Sequence, residues 1–303
     1  MKIRSFSIRL FIFVLPFILA VPTIHQSIFI EENTPTQRIF HHRIEKLNQH
    51  ENLTTILVGD SSLGNAINEN VFGELIGETT PNLALNGTYG YAGTYNMTRR
   101  ALNHSPNLKN VIIIQTLDMM QRNVSDEGFI RTVDLTSPSL ITGSEWRQIP
   151  NLYFNTLFSP TGINAATYGR SHPNPRPIDV ENDYIMQLNP LKDSDLQSAR
   201  GLVSRNIQME KAGYLNDLAV FCVQHHLNCI YVHGPIWQEI ADKSEVFIDD
   251  VNQIIDQEGI TLVKQMVTLE IDQIGDSTDH VATESKDDIT AVYAELLRPY
   301  LED

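Results

Sequence analysis

Thr54-Thr55-Ile56-Leu57-Val58-Gly59-Asp60-Ser61-Ser62-Leu63-Gly64-Asn65 is the stretch whose reading decides the fold. An apolar, β-rich run stops at Gly59 and gives way to Asp60-Ser61-Ser62. A strand buried on both faces of a parallel sheet reads this way where it emerges into a loop. Open α/β sheets carry their chemistry at the carboxyl ends of such strands. Ser61 is then a candidate nucleophile on a rigid support. The plainer reading is a strand followed by an Asp or Ser helix cap. The stretch alone leaves both open.

Further runs of the same kind follow. Asn82-Leu83-Ala84-Leu85-Asn86 reads as a short buried strand that ends in a glycine-rich turn, Gly87 to Gly93. Asn110 to Leu117 is the strongest strand signal, and it ends at Asp118. Cys229 to His233 and Ile260 to Val263 are the later strands. Helical segments separate them at about 68–76, 94–103, 204–224 and 244–257, the last stopped by Gly259 as a C′ residue, and a final helix runs over about 287–301. Alternating strands and helices at this spacing predict a doubly wound α/β fold. The expected architecture is a three-layer α/β/α sandwich, flavodoxin-like, with a five-stranded parallel sheet and the first strand central. Residues from about 123 to 203 break the pattern, with Pro, Ser, Asn and Gly recurring through Ser171-His172-Pro173-Asn174-Pro175-Arg176-Pro177. So long a stretch without periodicity reads as an insertion (a lid, a cap or a partner-binding element), with Trp146, Tyr153, Phe154 and Phe158 as its apolar material.

The chain has 303 residues, 42% of them hydrophobic and 19% charged, which suits a globular core. A formal net charge of -15 argues against a nucleic-acid partner, which requires a basic surface. Lys2, Arg4 and Arg9 precede an apolar run from Leu10 to Val21. Without a clear cleavage site after it, residues 1–30 read as an uncleaved signal anchor, with a linker helix over 31–53 and the main domain over 54–303. Basic flanks before the span put the amino terminus in the cytoplasm, so the expected location is inner-membrane anchored with a periplasmic or other extracytoplasmic domain. Cys222 and Cys229, at a helix-to-strand turn, are either a disulfide or two free thiols.

The chemistry converges from two ends. Ser61 leaves the first strand, and the last loop carries Asp276, Asp279 and His280. A serine nucleophile needs a base, and the base needs a group that orients it. His233 and Trp237 leave the fourth strand on the same edge and read either as a substrate wall or as packed core residues. Tyr89, Tyr91 and Tyr95 carry the same two readings, sugar contact or packing. No histidine–carboxylate metal signature is present, and no cofactor is expected.

Gly59-Asp60-Ser61, Asn86 to Gly93 and Asp276 to His280 resemble, in order, three blocks of the SGNH/GDSL hydrolase and O-acyltransferase superfamily. With the amino-terminal span, the chain is similar to its membrane-anchored periplasmic members, polysaccharide O-acetyltransferases and DltD-like proteins. The resemblance implies Ser61 as nucleophile, His280 as general base and Asp276 as the orienting acid, with Asp279 as fallback. It implies an oxyanion hole from the Ser61 and Gly90 backbone N–H groups, with Gly87 as fallback for the second. The family's third donor is an asparagine after the third strand, where this chain has Asp118. An ionised carboxylate cannot donate, so Asp118 reads as a contact for substrate hydroxyls, a cation ligand, or a sign that this chemistry is lost; Gln115 and Asn123 are the nearby donors. The implied activity is acyl hydrolysis or O-acyl transfer on esters of a cell-envelope or extracellular polysaccharide. The implied partners are an acylated carbohydrate or acyl donor, the membrane, and a membrane-bound acyl-transfer protein. The alternative is a catalytically weak domain that binds polysaccharide or scaffolds an envelope assembly.

Overall fold

The computed structural model describes residues 35–122, 126–134, 147–152 and 200–301. Nine helices of these segments are labelled here: α1 Pro35–Gln49, α2 Ser61–Ala66, α3 Glu69–Ile76, α4 Gly90–His104, α5 Asp126–Thr132, α6 Ala212–Gln224, α7 Gln238–Asp242, α8 Glu245–Glu258 and α9 Lys286–Leu297. The strands are β1 Thr55–Gly59, β2 Asn110–Gln115, β3 Asn228–His233, β4 Ile236–Trp237, β5 Thr261–Val263 and β6 Thr268–Leu269. β1, β2, β3 and β5 form one parallel sheet in that order, while β4 and β6 make a separate parallel pair.

The sheet has four strands, which corrects the expected five. Asn82 makes only an isolated bridge to Leu57. The segment does run beside β1, through Leu83 N to Leu57 O and Leu85 N to Gly59 O, both at 2.9 Å. On its other side the backbone bonds to side chains: Asn82 N donates to Glu69 Oε2 at 2.6 Å, and Ala84 N to Asn82 Oδ1 at 3.0 Å. β1 is therefore the terminal strand of the sheet and not its centre.

Successive strand residues face opposite cores, as a period of two requires. Ile56, Val58, Val111, Ile113 and Tyr231 pack against α1, α4, α6 and α8. Leu57, Ile112, Ile114, Ile230 and Val232 pack against α2, α3 and α9. Helices thus cover both faces. In α8 the buried positions Phe247, Val251, Ile254 and Ile255 keep helical spacing, and the helix stops at Gly259, φ 80°. α1 docks through polar contacts as well: Arg43 Nε donates to Ala84 O at 3.0 Å, and Lys46 Nζ to Glu69 Oε2 at 2.9 Å. Cys222 and Cys229 are joined in a disulfide that ties the end of α6 to β3, Cα atoms 6.2 Å apart.

Among the described residues no helix is long and apolar enough to cross a membrane. The expectation of a membrane-anchored, inner-membrane protein with a membrane partner is corrected accordingly; its span, 1–30, lies outside the described residues, as does most of the 123–203 insertion.

Candidate active site

β1 and β2 approach so closely at their carboxyl ends that a Cβ on Gly59 would fall on the Ile114 carbonyl oxygen. The chain then turns at Asp60, whose Oδ1 caps α2 by accepting from Ser62 N at 3.0 Å. Oδ1 also accepts from Ser62 Oγ at 2.6 Å, and both Asp60 oxygens stand 3.2 Å from Thr116 N at the end of β2. Asp60 is 1% exposed. Burial pushes its carboxyl up to about 6, and the Asp279 charge adds to this, while the Ser62 hydrogen bonds and Arg122 pull it down.

The two serines differ in environment. Ser62 is fully buried, tied to Asp60, and packed where a Cβ on Gly234 would stand. Ser61 is 8% exposed, and its Oγ has no hydrogen-bond partner among the described residues. Only its carbonyl is engaged, accepting from Asn65 Nδ2 at 2.8 Å. Of the pair, Ser61 carries the uncommitted hydroxyl.

After β2 a short turn, Leu117–Gln121, carries Asp118. Arg122 Nε donates to Asp118 Oδ1 at 2.8 Å, and Arg122 Nη2 lies 3.6 Å from Asp279 Oδ2. Arg122 Nη1 covers Gly87, where a Cβ would collide with it, and the same point lies 3.8 Å from Asp60 Oδ2. The guanidinium bridges the Gly87 turn and the last loop. Arg122 was not singled out by sequence reasoning; its signal was the Asp118-x-x-x-Arg122 spacing at the end of the strongest strand.

The last loop is closed at its base by an antiparallel bridge between Ile274 and Val281. Inside it, Gly275 N donates to His280 O at 2.7 Å and His280 N to Ser277 O at 3.1 Å. His280 Nδ1 pairs with Asp276 Oδ1 at 2.6 Å. Burial lowers the imidazole's proton affinity, but the Asp276 hydrogen bond and the charges of Asp279, Asp276 and Asp60 outweigh it, so His280 is raised above its usual value. The His280 hydrogen bond in turn lowers Asp276. Asp279 turns the other way: it accepts from Ser277 Oγ and, at Oδ2, lies 2.8 Å from Thr116 Oγ1. Thr116 Oγ1 is also 3.1 Å from Asp118 Oδ1, and its single hydrogen serves one carboxylate at a time. A chain of contacts, Asp279 to Thr116 to Asp60, thereby ties the His280 loop to the residue before Ser61. No hydrogen bond joins Ser61 Oγ to His280 among the described residues.

The remaining candidates fall as follows. Gly87 opens the 3-10 turn Gly87–Tyr89, and Gly90, at φ 54°, spends its N–H on Gly87 O. His233 is fully buried, with Nε2 2.7 Å from Asn252 Oδ1, and burial lowers its proton affinity against that hydrogen bond. Trp237 is half-buried beside the His280 loop, its N–H donating to Thr278 O at 2.8 Å. Tyr89, Tyr91 and Tyr95 are core residues; Tyr91 and Tyr231 hydroxyls meet at 3.1 Å, and Tyr95 packs edge-on to Phe221. Gln115 points inward to Thr94, and Asn123 lies outside the described residues. Among the described residues no group of three or more His, Cys, Asp or Glu is arranged to hold a metal ion.

No family model matches the chain, and no curated protein matches it significantly. Together with the four-stranded sheet and the lack of a membrane-crossing helix among the described residues, this corrects the expected membership in the membrane-anchored SGNH/GDSL superfamily. What stands is an α/β fold with helices on both faces of a parallel sheet.

Proposed function

We propose that the chain is a serine acyl hydrolase or O-acyltransferase that works on oxygen esters through an acyl-enzyme. The observation that carries this reading is the Asp276–His280 pair at 2.6 Å, on a loop tied through Asp279 and Thr116 to the Ser61 turn. Asp276 holds the Nδ1 proton and leaves Nε2 as the basic nitrogen, the tautomer a general base requires. Ser61 supplies a hydroxyl with no competing bond among the described residues, on a residue that keeps 8% of its surface exposed.

In the first step Ser61 Oγ bonds to the ester carbonyl carbon, and its proton passes to His280 Nε2. The carbonyl electron pair moves onto oxygen. Collapse of that intermediate breaks the bond to the alcohol, which leaves with the proton from His280. Water or a second hydroxyl then attacks the acyl-Ser61 ester, again giving its proton to His280, and free Ser61 is restored. A carbohydrate ester suits the surroundings: half-buried Trp237 offers an apolar face for a sugar ring, and Asp118, about one-third exposed, accepts from hydroxyls.

A second reading, a polysaccharide-binding domain with weak or no turnover, is favoured by one observation, the absence of a Ser61–His280 hydrogen bond among the described residues. Catalytic hydrogen bonds in ligand-free proteins are often long and tighten on substrate binding, which keeps the acyl-transfer reading ahead. Hydrolysis of p-nitrophenyl acetate by the full chain tests it. Turnover that disappears in Ser61→Ala and in His280→Ala supports the enzyme. Turnover unchanged in both folded variants contradicts it.

A further inference from the structure

We propose that Arg122 is a catalytic residue whose Nη1 N–H groups donate to the oxyanion formed when Ser61 attacks an ester carbonyl. The inference rests on the acyl-transfer reading and adds a donor to it. A developing oxyanion needs preorganised donors, and of the three expected ones the Gly90 N–H and the group at the Asp118 position are compromised, leaving the Ser61 N–H. The Gly90 N–H is already bonded to Gly87 O. Asp118 stands at the end of β2 as an acceptor and accepts from Arg122 Nε at 2.8 Å. The acidic side chain therefore holds a donor in place instead of being one.

The seating of the guanidinium is specific. Nε is fixed by Asp118, and Nη2 faces Asp279 at 3.6 Å. Nη1 lies over Gly87, a position that only a residue without a Cβ leaves open. It makes no hydrogen bond to any described residue. Its neighbour across Gly87 is Asp60, the residue before Ser61. The Arg122 side chain is 33% exposed, so a carbonyl oxygen can reach it from solvent, while Ser61, next to Asp60, keeps 8% of its surface exposed. A guanidinium stays charged throughout the working pH range, and a charge-assisted hydrogen bond is roughly twice as strong as a neutral one. It strengthens as the carbonyl oxygen becomes anionic, which is the condition for lowering the barrier instead of merely binding substrate.

The test uses the full chain with two probes, p-nitrophenyl acetate and a fluorophosphonate whose phosphonyl oxygen occupies the oxyanion position. In Arg122→Gln, kcat and the phosphonylation rate are expected to fall by about 10²–10³, the usual loss for one oxyanion donor. KM should stay within about threefold, because the interaction belongs to the transition state. Arg122→Lys should recover part of the loss. Gly87→Ala keeps every charge but displaces Nη1, so it should lose rate in the same way; it also decides the matter if Arg122→Gln fails to fold by circular dichroism. Folded Arg122→Gln or Gly87→Ala reacting at the wild-type rate, while Ser61→Ala is unreactive, overturns the role of Arg122 and leaves the acyl-transfer reading intact. A wild-type chain that neither probe engages overturns both.

Discussion

Ser62 Oγ donates to Asp60 Oδ1 across 2.6 Å, and that bond separates two adjacent serines into a structural one and a free one. Ser62 closes the turn between β1 and α2 in the interior, while Ser61 keeps its hydroxyl uncommitted. Opposite substitution phenotypes follow. Ser62→Ala removes a hydrogen bond to a buried carboxyl and should cost about 1.5–3 kcal/mol of stability. Ser61→Ala should cost less than about 0.5 kcal/mol, as a change that breaks no side-chain bond. Urea unfolding measures both, and equal losses would contradict this division of roles.

Asp60 makes stability depend on pH. Its carboxyl titrates near about 6 in the folded protein because it is buried. Unfolded, it titrates near ~3.9. A carboxyl raised on folding favours the folded state while protonated, so its contribution is complete below the unfolded value and gone above the folded one. Between about pH 4 and pH 7 the wild type should therefore lose about 2–3 kcal/mol relative to Asp60→Asn. Unfolding curves for the two proteins at several pH values give this difference directly. A constant offset across the range would contradict it.

Under the proposed acyl-transfer mechanism, His280 sets the pH dependence of turnover. A general base acts in its neutral form, and the aspartates around His280 raise its proton affinity. kcat/KM should rise with pH through a midpoint above the usual histidine value. Asp276→Asn removes one charge and replaces a charge-assisted partner by an amide that can also donate to Nδ1 and favour the wrong tautomer, so the midpoint should move down while the plateau drops by about a hundredfold or more. An unmoved midpoint would show that Asp276 does not act on the base.

The fold was partly legible. The runs that became β1, β2 and β3 have uninterrupted apolar centres at 56–58, 111–114 and 229–232, the mark of strands covered on both sides, and Gly259 marked the end of α8 because a left-handed residue there favours glycine. The run at Asn82 looked the same, but its outward N–H groups go to Glu69 and to its own side chain, a competition that periodicity does not register. His233 was readable from parity: it stands two residues after Tyr231 and faces the same core. Arg122 was harder, because its importance comes from three partners on three different segments, Asp118, Gly87 and Asp279. One sequence shows the first spacing and none of the other contacts.

The Cys222–Cys229 disulfide closes a short loop between α6 and β3. Loop-closure entropy for a ring of this size predicts that Cys222→Ser with Cys229→Ser costs about 2–3 kcal/mol. Thermal melting of the double variant against the oxidised wild type checks it. An unchanged melting temperature would show that the bridge contributes no net stability.

The central claim is that Ser61 forms a covalent bond to an acyl-type electrophile with His280 as its base. Treating the full chain with a fluorophosphonate and locating the adduct by peptide mass spectrometry tests it most directly. The account predicts a single phosphonyl group on Ser61, absent in Ser61→Ala and slowed by His280→Ala. An adduct on Ser62 or another residue, or no adduct on the folded protein, would contradict it.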